Sequence, residues 1–365
     1  DGEPPPLEME PVSVPHVEIP PGDKTQDLLK RGIRYFSELF TQRNLVALSL
    51  LRREILSFKD PEVCSFLMFA FSSTLKWASK MSHLRRSGKN HIVEGWAMHA
   101  YWIYPHHLEV NVWEKFLDRV EAIIRGKTYT NRHIGAYARK AERLNDVLSG
   151  RATYMIIQED ASKALEDFPD ECVDAVITDP PYGGNVNYAE LSDYFLAWLD
   201  GGLSPKDEEI IINRTRGKDL RAYEDGLYKV FRECFRVLKP DRYLVSTFNS
   251  KDMRIVGAFI IALRRAGFSY IGVSYQPYLR GYMTTFHAMQ IDAMPFDFIF
   301  VFKKSDQATL PGDDTTSYAT ITRRLREELR RCVQAGLTER DFRAKTYPMV
   351  VNFIVQADIR QARLL

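Results

Sequence analysis

The sequence predicts an α/β fold preceded by a helical region. Helical periodicity runs from Thr25 to about Ile124, and beyond Gly150 short apolar runs alternate with amphipathic helical stretches. The chain has 365 residues, 45% apolar and 27% charged, which suits one large globular domain or two ordinary ones.

The elements follow in order. Residues 1–24 are rich in proline and acid ("DGEPPPLEMEPVSVPHVEIPPGD") and predict an extended arm. Residues 25–150 read as mainly helical. "RNLVALSLLRREIL" sets Leu45, Leu48, Leu51 and Ile55 on one helix face. "DPEVCSFLMFAFSSTLKWA" reads as a buried helix with Asp60 at the N-cap and Pro61 in the first turn. "EVNVWEKFLDRVEAII" reads as another helix. Residues 151–305 read as an α/β core with strands at 154–158, 173–179, 243–248, 269–276 and 296–304. A helix before the third strand is expected to stop at Pro240, and one after it at Gly267. This alternation predicts a parallel or mostly parallel sheet covered on both faces. Residues 306–365 predict a helical extension, and its "TITRRLREELRRCV" mixes Arg and Glu as a solvated face does.

Composition narrows the classes. The net charge is only +2, so bulk charge does not argue for a nucleic-acid partner. Cys64, Cys172, Cys234 and Cys332 are scattered with no CxxC, which suggests neither a zinc ribbon nor a disulfide framework and favours a reducing, cytoplasmic setting. No apolar run approaches the ~20 residues of a membrane span, and the N-terminus lacks a secretory pattern. His106 and His107 are adjacent; on a strand they would point to opposite faces, so no metal site is expected.

The most informative stretch is 173–188, "VDAVITDPPYGGNVNY". An apolar strand ends in Asp179-Pro180-Pro181-Tyr182, and ligands of open α/β sheets sit beyond such carboxyl ends. Two prolines stiffen the backbone, remove two N–H donors and leave carbonyl oxygens to face a cleft. One carboxylate, outward carbonyls and one ring suit a planar ligand with an exocyclic amine. Asp179 and the Pro180 carbonyl would take the two amine protons, and Tyr182 would stack on the heterocycle. Such acceptors stabilise the positive charge that grows on the nitrogen as it attacks and is alkylated.

Asp179–Tyr182 resembles the catalytic motif of S-adenosylmethionine-dependent amino-methyltransferases of DNA. "DPPYGGNVNYAELSDYFLAWL" (179–199) is similar to the catalytic corner of a subgroup of prokaryotic adenine-specific DNA methylases, and "LFTQRNLVALSLL", "EIIINRTRGKD", "VFRECFRVLKPDRYLVSTFNSK" and "ALRRAGF" resemble other segments of it. The resemblance implies a Rossmann-like class I methyltransferase sheet, S-adenosylmethionine as cofactor, a flipped base in DNA as substrate, and a prokaryotic cytoplasm. Adenine N6 is the expected target, with cytosine N4 the alternative. It further implies that Asp179, Pro180, Pro181 and Tyr182 grip the base. Asp160 and Ala161 would lie beside the cofactor's adenine, and Phe40, Thr41 and Arg43 near its methionine end.

The sequence departs from the subgroup in lacking the Phe-x-Gly-x-Gly cofactor turn. The chain opens on Asp rather than Met, so the expectation is an incomplete sheet, with the turn supplied by an upstream segment or a second chain. Base extrusion also requires phosphate contacts. Asn187, Tyr188, Arg214, Arg216 and Lys218, with Arg221 beyond, are the first choice for nucleic acid. Two further basic clusters are Lys80, His83, Arg85, Arg86, Lys89 and His91, and Arg125, Lys127, Arg132, His133, Arg139, Lys140 and Arg143 with Tyr129 and Tyr137. Two other readings stand beside DNA methylation. One is a tRNA guanine-N2 methyltransferase, which shares Asp-Pro-Pro-Tyr-Gly; the other is a non-catalytic DNA-binding subunit, which the missing turn favours.

Overall fold

The computed structural model describes residues 14–87, 90–277, 296–305 and 318–356. Along these the chain forms α1 (Gln26–Lys30), α2 (Gln42–Leu56), α3 (Pro61–Ala78), β1 (His83–Ser87), β2 (Asn90–Glu94), α4 (Val112–Ile134), α5 (Leu144–Leu148) and β3 (Val173–Thr178). There follow α6 (Tyr188–Leu199), α7 (Leu220–Val237), β4 (Leu238–Phe248), α8 (Met253–Arg265), β5 (Ser269–Pro277), β6 (Phe296–Lys303), α9 (Tyr318–Gln334) and α10 (Glu339–Gln356). None of the described helices is long and apolar enough to cross a membrane.

Two compact units result. The first holds the described residues up to Arg139 together with Asn187–Glu209, and the second holds Lys140–Val186 with the described residues from Ile210 onward. α6, which directly follows the Asp-Pro-Pro-Tyr corner, belongs to the helical unit. Its sequence explains why. Ala189, Leu191, Tyr194, Ala197 and Trp198 are buried, and the Phe40 ring stacks on Tyr194 at 5.6 Å and meets Trp198 edge-on at 5.2 Å. Tyr194 also donates its hydroxyl to the Leu75 carbonyl at 2.7 Å. The start of α3 is set locally: the Asp60 carboxylate accepts the N–H groups of Glu62 and Val63, and Pro61 fills the first helical position, where no N–H is needed.

The proline-rich arm is not free over its described part. Ile19 N–H donates to Arg34 at 2.7 Å and Phe36 N–H to Val17 at 3.1 Å. The fully buried Glu190 of α6 accepts the N–H groups of Asp23 at 3.2 Å and Lys24 at 2.7 Å. Gly22 makes this approach possible, since a Cβ there would lie 2.4 Å from the Glu190 carboxyl carbon. Glu190→Ala, which strands both donors, is expected to destabilise the protein by about 1–3 kcal/mol in urea unfolding, and Glu190→Gln by less, because it keeps one acceptor.

Within the basic stretch, β1 and β2 pair antiparallel, with His83 opposite Glu94 and Arg85 opposite Ile92. The charges of this stretch are partly neutralised, since Arg85 hydrogen-bonds Glu94 and His83 Nε2 lies 3.6 Å from the same carboxylate. Lys89 lies outside the described residues. The helix read over 109–124 continues to Ile134.

The second unit is built on a sheet of order β3-β4-β6-β5. β3 runs parallel to β4, but β6 lies antiparallel between β4 and β5. The expectation of a mostly parallel sheet is thus corrected to a mixed one. The strand expected at 154–158 does not form: Tyr154 makes one isolated bridge, to Lys140, and Ile156 is 72% exposed. An apolar run with no strand beside it has nowhere to place its backbone hydrogen bonds. β3 is consequently an edge strand, and its Ile177 is 83% exposed. The core gathers the fully buried Phe248, Phe259, Phe298, Phe300 and Phe302 under α7 and α8. α8 is buried at every position from Val256 to Leu263 because α10 packs on it as well. Pro240 does not stop α7, which ends at Val237; it lies inside β4, whose backbone turns left-handed at Asp241.

Candidate active site

The parallel pairing of β3 with β4 sets Thr178 beside Ser246. Both strands therefore deliver their carboxyl ends to one edge of the sheet, and Asp179–Tyr182 start there. Asp179 is exposed while Pro180, Pro181 and Tyr182 are half-buried. The Tyr182 hydroxyl donates to Asp179 Oδ1 at 2.6 Å. Its ring packs edge-on against Phe248 at 5.0 Å, and Phe248 stacks on Phe259 at 4.2 Å. A continuous line of aromatic contacts thus ties the corner to the core. Burial, then the hydrogen bond and charge of Asp179, push the Tyr182 phenol well above its ordinary value, against a smaller opposing hydrogen bond from Thr247. Tyr182 is a neutral donor that aims the Asp179 carboxylate, and it is no base.

The prolines divide their carbonyls. The Pro181 carbonyl accepts the hydroxyl of the fully buried Tyr223, which anchors the turn. Among the described residues no donor reaches the Pro180 carbonyl or the second Asp179 oxygen. Two acceptors on adjacent residues remain for a ligand.

Gly183 and Gly184 let the chain turn against its neighbours. Gly183 is left-handed (φ +66°), and a Cβ on Gly184 would sit 2.6 Å from the Ile212 carbonyl oxygen. This close approach, with Ile212 N–H donating to the Gly183 carbonyl at 3.4 Å, brings the basic turn after Ile212 to the corner. There Asn213 and Lys218 exchange backbone hydrogen bonds, both 2.9 Å, around a single turn at Arg214–Arg216. Arg214 is exposed and Lys218 half-buried, but the terminal guanidinium nitrogens of Arg216 are shielded from solvent, so the expected phosphate contact at Arg216 is corrected.

The remaining predicted residues are placed differently. Asp160 closes a turn: its carboxylate accepts the N–H and hydroxyl of Ser162, both at 2.9 Å. Burial works to raise that carboxyl, but Ser162 and Lys163 hold it below the usual range. Ala161 follows in the same turn and is exposed. Phe40, Thr41 and Arg43 belong to the helical unit. Phe40 is 3% exposed and committed to aromatic packing, Thr41 caps α2, and the exposed Arg43 faces Glu109 at 3.5 Å. Asn187 is 1% exposed, so its side chain does not reach solvent, whereas Tyr188 is half exposed.

Sequence reasoning missed Thr247 and Asp297, both of which act on Tyr182, and Asn249, whose amide donates to Asp297 at 2.6 Å. The signal was available. Thr247 is next to last in the strand beside "VDAVITD", and the antiparallel β6 starts at the same edge, with Phe298 opposite Phe248.

Searches against known proteins add relatives. No protein-family model matches the chain. Over 265 residues the chain is 28% identical to the type II methyltransferase M.MvaI of Kocuria varians, a match covering 60% of this chain and 52% of that protein. The chain thus spans about half the length of this curated relative. Among solved structures, a candidate DNA modification methylase of Thermus thermophilus aligns at 21% identity over 41% of this chain and 52% of that one, with a TM-score of 0.27. The same protein complexed with S-adenosyl-L-methionine aligns at 21% identity over 40% of this chain and 54% of that one, with a TM-score of 0.25.

Proposed function

We propose that this chain is the base-binding part of an S-adenosylmethionine-dependent DNA methyltransferase that modifies an exocyclic base amine. The observation that carries the reading is the pair of open acceptors at the corner, the second Asp179 oxygen and the Pro180 carbonyl, beside the Tyr182 ring. Its sequence relationship to a type II methyltransferase supports the same reading. On this reading an extruded base seats its amine so that one N–H meets Asp179 and the other meets Pro180. Tyr182 keeps Asp179 oriented, and the carboxylate offsets the positive charge that develops on the nitrogen. Arg214 and Lys218 hold phosphates close by.

The cofactor supplies the methyl group. The chain's own residues fit it in part: Asp160 and Ala161 form a polar turn suited to its adenine end, but the sequence has no Phe-x-Gly-x-Gly run. A further segment or second chain that supplies this turn would also cover the open edge of β3, where Ile177 is exposed. Such a strand would complete a Rossmann-like class I sheet. Adenine N6 leads over cytosine N4 on the subgroup resemblance alone, because both amines offer the same two N–H donors.

The test is methyl transfer from labelled cofactor by the full-length protein to duplex DNA and to tRNA, followed by nucleoside analysis. Label on an amine of a DNA base is expected. Label on tRNA guanine alone, or no transfer to either substrate, overturns the reading.

A further inference from the structure

We propose that the outer half of α4 is a contact surface for the sugar-phosphate backbone of duplex DNA, an inference that rests on the DNA reading above. Residues 124–139 are all exposed, an unbroken run that leaves this half of the helix without packing in the described structure. Between Glu121 and Glu142 the sequence has no Asp or Glu but contains Arg125, Lys127, Arg132, Arg139 and Lys140. The near-neutral balance of the whole chain hides this local excess.

Spacing sharpens the charge into a stripe. Arg125, Tyr129, Arg132 and His133 stand at i, i+4, i+7 and i+8, one face of the helix. The rings of Tyr129 and His133 lie 4.1 Å apart. His133 Nδ1 is 2.8 Å from the Tyr129 carbonyl oxygen. Arg125 touches Glu121 at 3.4 Å, but both side chains are 70% exposed, and a phosphate can displace so weak a pair. Lys127 and Arg132 have no carboxylate within ion-pair distance among the described residues. α9 is the contrast. It too is rich in arginine, yet Arg323 meets Glu327 at 3.6 Å and Arg331 meets Glu328 at 3.3 Å, as on a solvated helix.

Exposed Arg125, Lys127 and Arg132, interleaved with Tyr, Thr and Asn donors, match the chemistry of phosphate oxygens. The contact would be sequence-independent: it fixes the duplex without reading it, and it weakens with salt.

The test is fluorescence anisotropy of the full-length protein with a duplex oligonucleotide across a salt series. For the double variant Arg125→Gln, Arg132→Gln the log–log salt slope is expected to fall by about 1.8, two contacts at about 0.9 each. The double variant Arg125→Lys, Arg132→Lys is expected to keep the slope, and Arg323→Gln, Arg331→Gln to match the wild type. If the wild type binds duplex DNA and the first variant keeps its slope, the surface is wrong while the proposed function stands. If the wild type does not bind duplex DNA, both fall. If the first variant loses binding only to a polyglutamate probe, the stripe serves an acidic protein and the proposal is overturned.

Discussion

Asp179→Asn is expected to lower methyl transfer to DNA by about 10²–10³-fold, the range seen when one group that stabilises transition-state charge is removed. The substitution isolates charge from shape. An asparagine oxygen can still accept the Tyr182 hydroxyl that now sits 2.6 Å from Asp179 Oδ1, so the turn keeps its geometry. Stability should change by about 1 kcal/mol or less. Duplex affinity should persist, because phosphate contacts lie on other residues. Tyr182→Phe makes the complementary change: it keeps the ring and removes the donor that aims the carboxylate, so a smaller loss of rate is expected. Initial rates with labelled cofactor, measured beside anisotropy on the same duplex, check both. Full activity in Asp179→Asn would remove the corner from the mechanism.

The fold was legible in the sequence where its signals are local. Asp60 and Pro61 announced the start of α3 because a cap and its first turn are neighbours in the chain. The end of α8 was legible for the same reason, as Gly267 is left-handed there. Pairing partners were not legible. Nothing in "FDFIFVFKK" shows that it returns antiparallel between two other strands. Nor does "YMIIQ" reveal that, among the described residues, it makes a single isolated bridge and no strand. Those facts depend on contacts distant in sequence. Likewise α6 reads as part of the catalytic segment it follows, and only its aromatic contacts with Phe40 and Phe71 assign it to the helical unit.

The corner was legible as a set of residue types and not as geometry. Residue types alone suggested a carboxylate, two carbonyls and a ring. They could not say that the Pro181 carbonyl is already taken by Tyr223, or that Tyr182 points its hydroxyl at Asp179. They also could not separate Phe40, which the helical core consumes, from a ligand-facing ring. The third basic cluster was visible as composition. Its uninterrupted exposure emerged only with the helix.

Phe259→Ala should be among the most destabilising single changes, at about 3–5 kcal/mol, the usual range for emptying a buried phenylalanine site. Phe259 is fully buried and is the hub of the aromatic core. It stacks on Phe248 at 4.2 Å, meets Phe231 at 5.8 Å, and lies 5.4 Å from Phe300. A loss of that size is a large fraction of the ~5–15 kcal/mol that holds a typical domain. It should appear as a lower urea midpoint with an unchanged slope. The site should feel it too, because Phe248 is the surface on which the Tyr182 ring rests. At a temperature where the variant remains folded, methyl transfer should still fall, and Phe259→Leu should recover part of both losses by refilling most of the volume. A variant that loses stability but transfers methyl groups at the wild-type rate would show that the Phe248–Tyr182 contact does not position the corner.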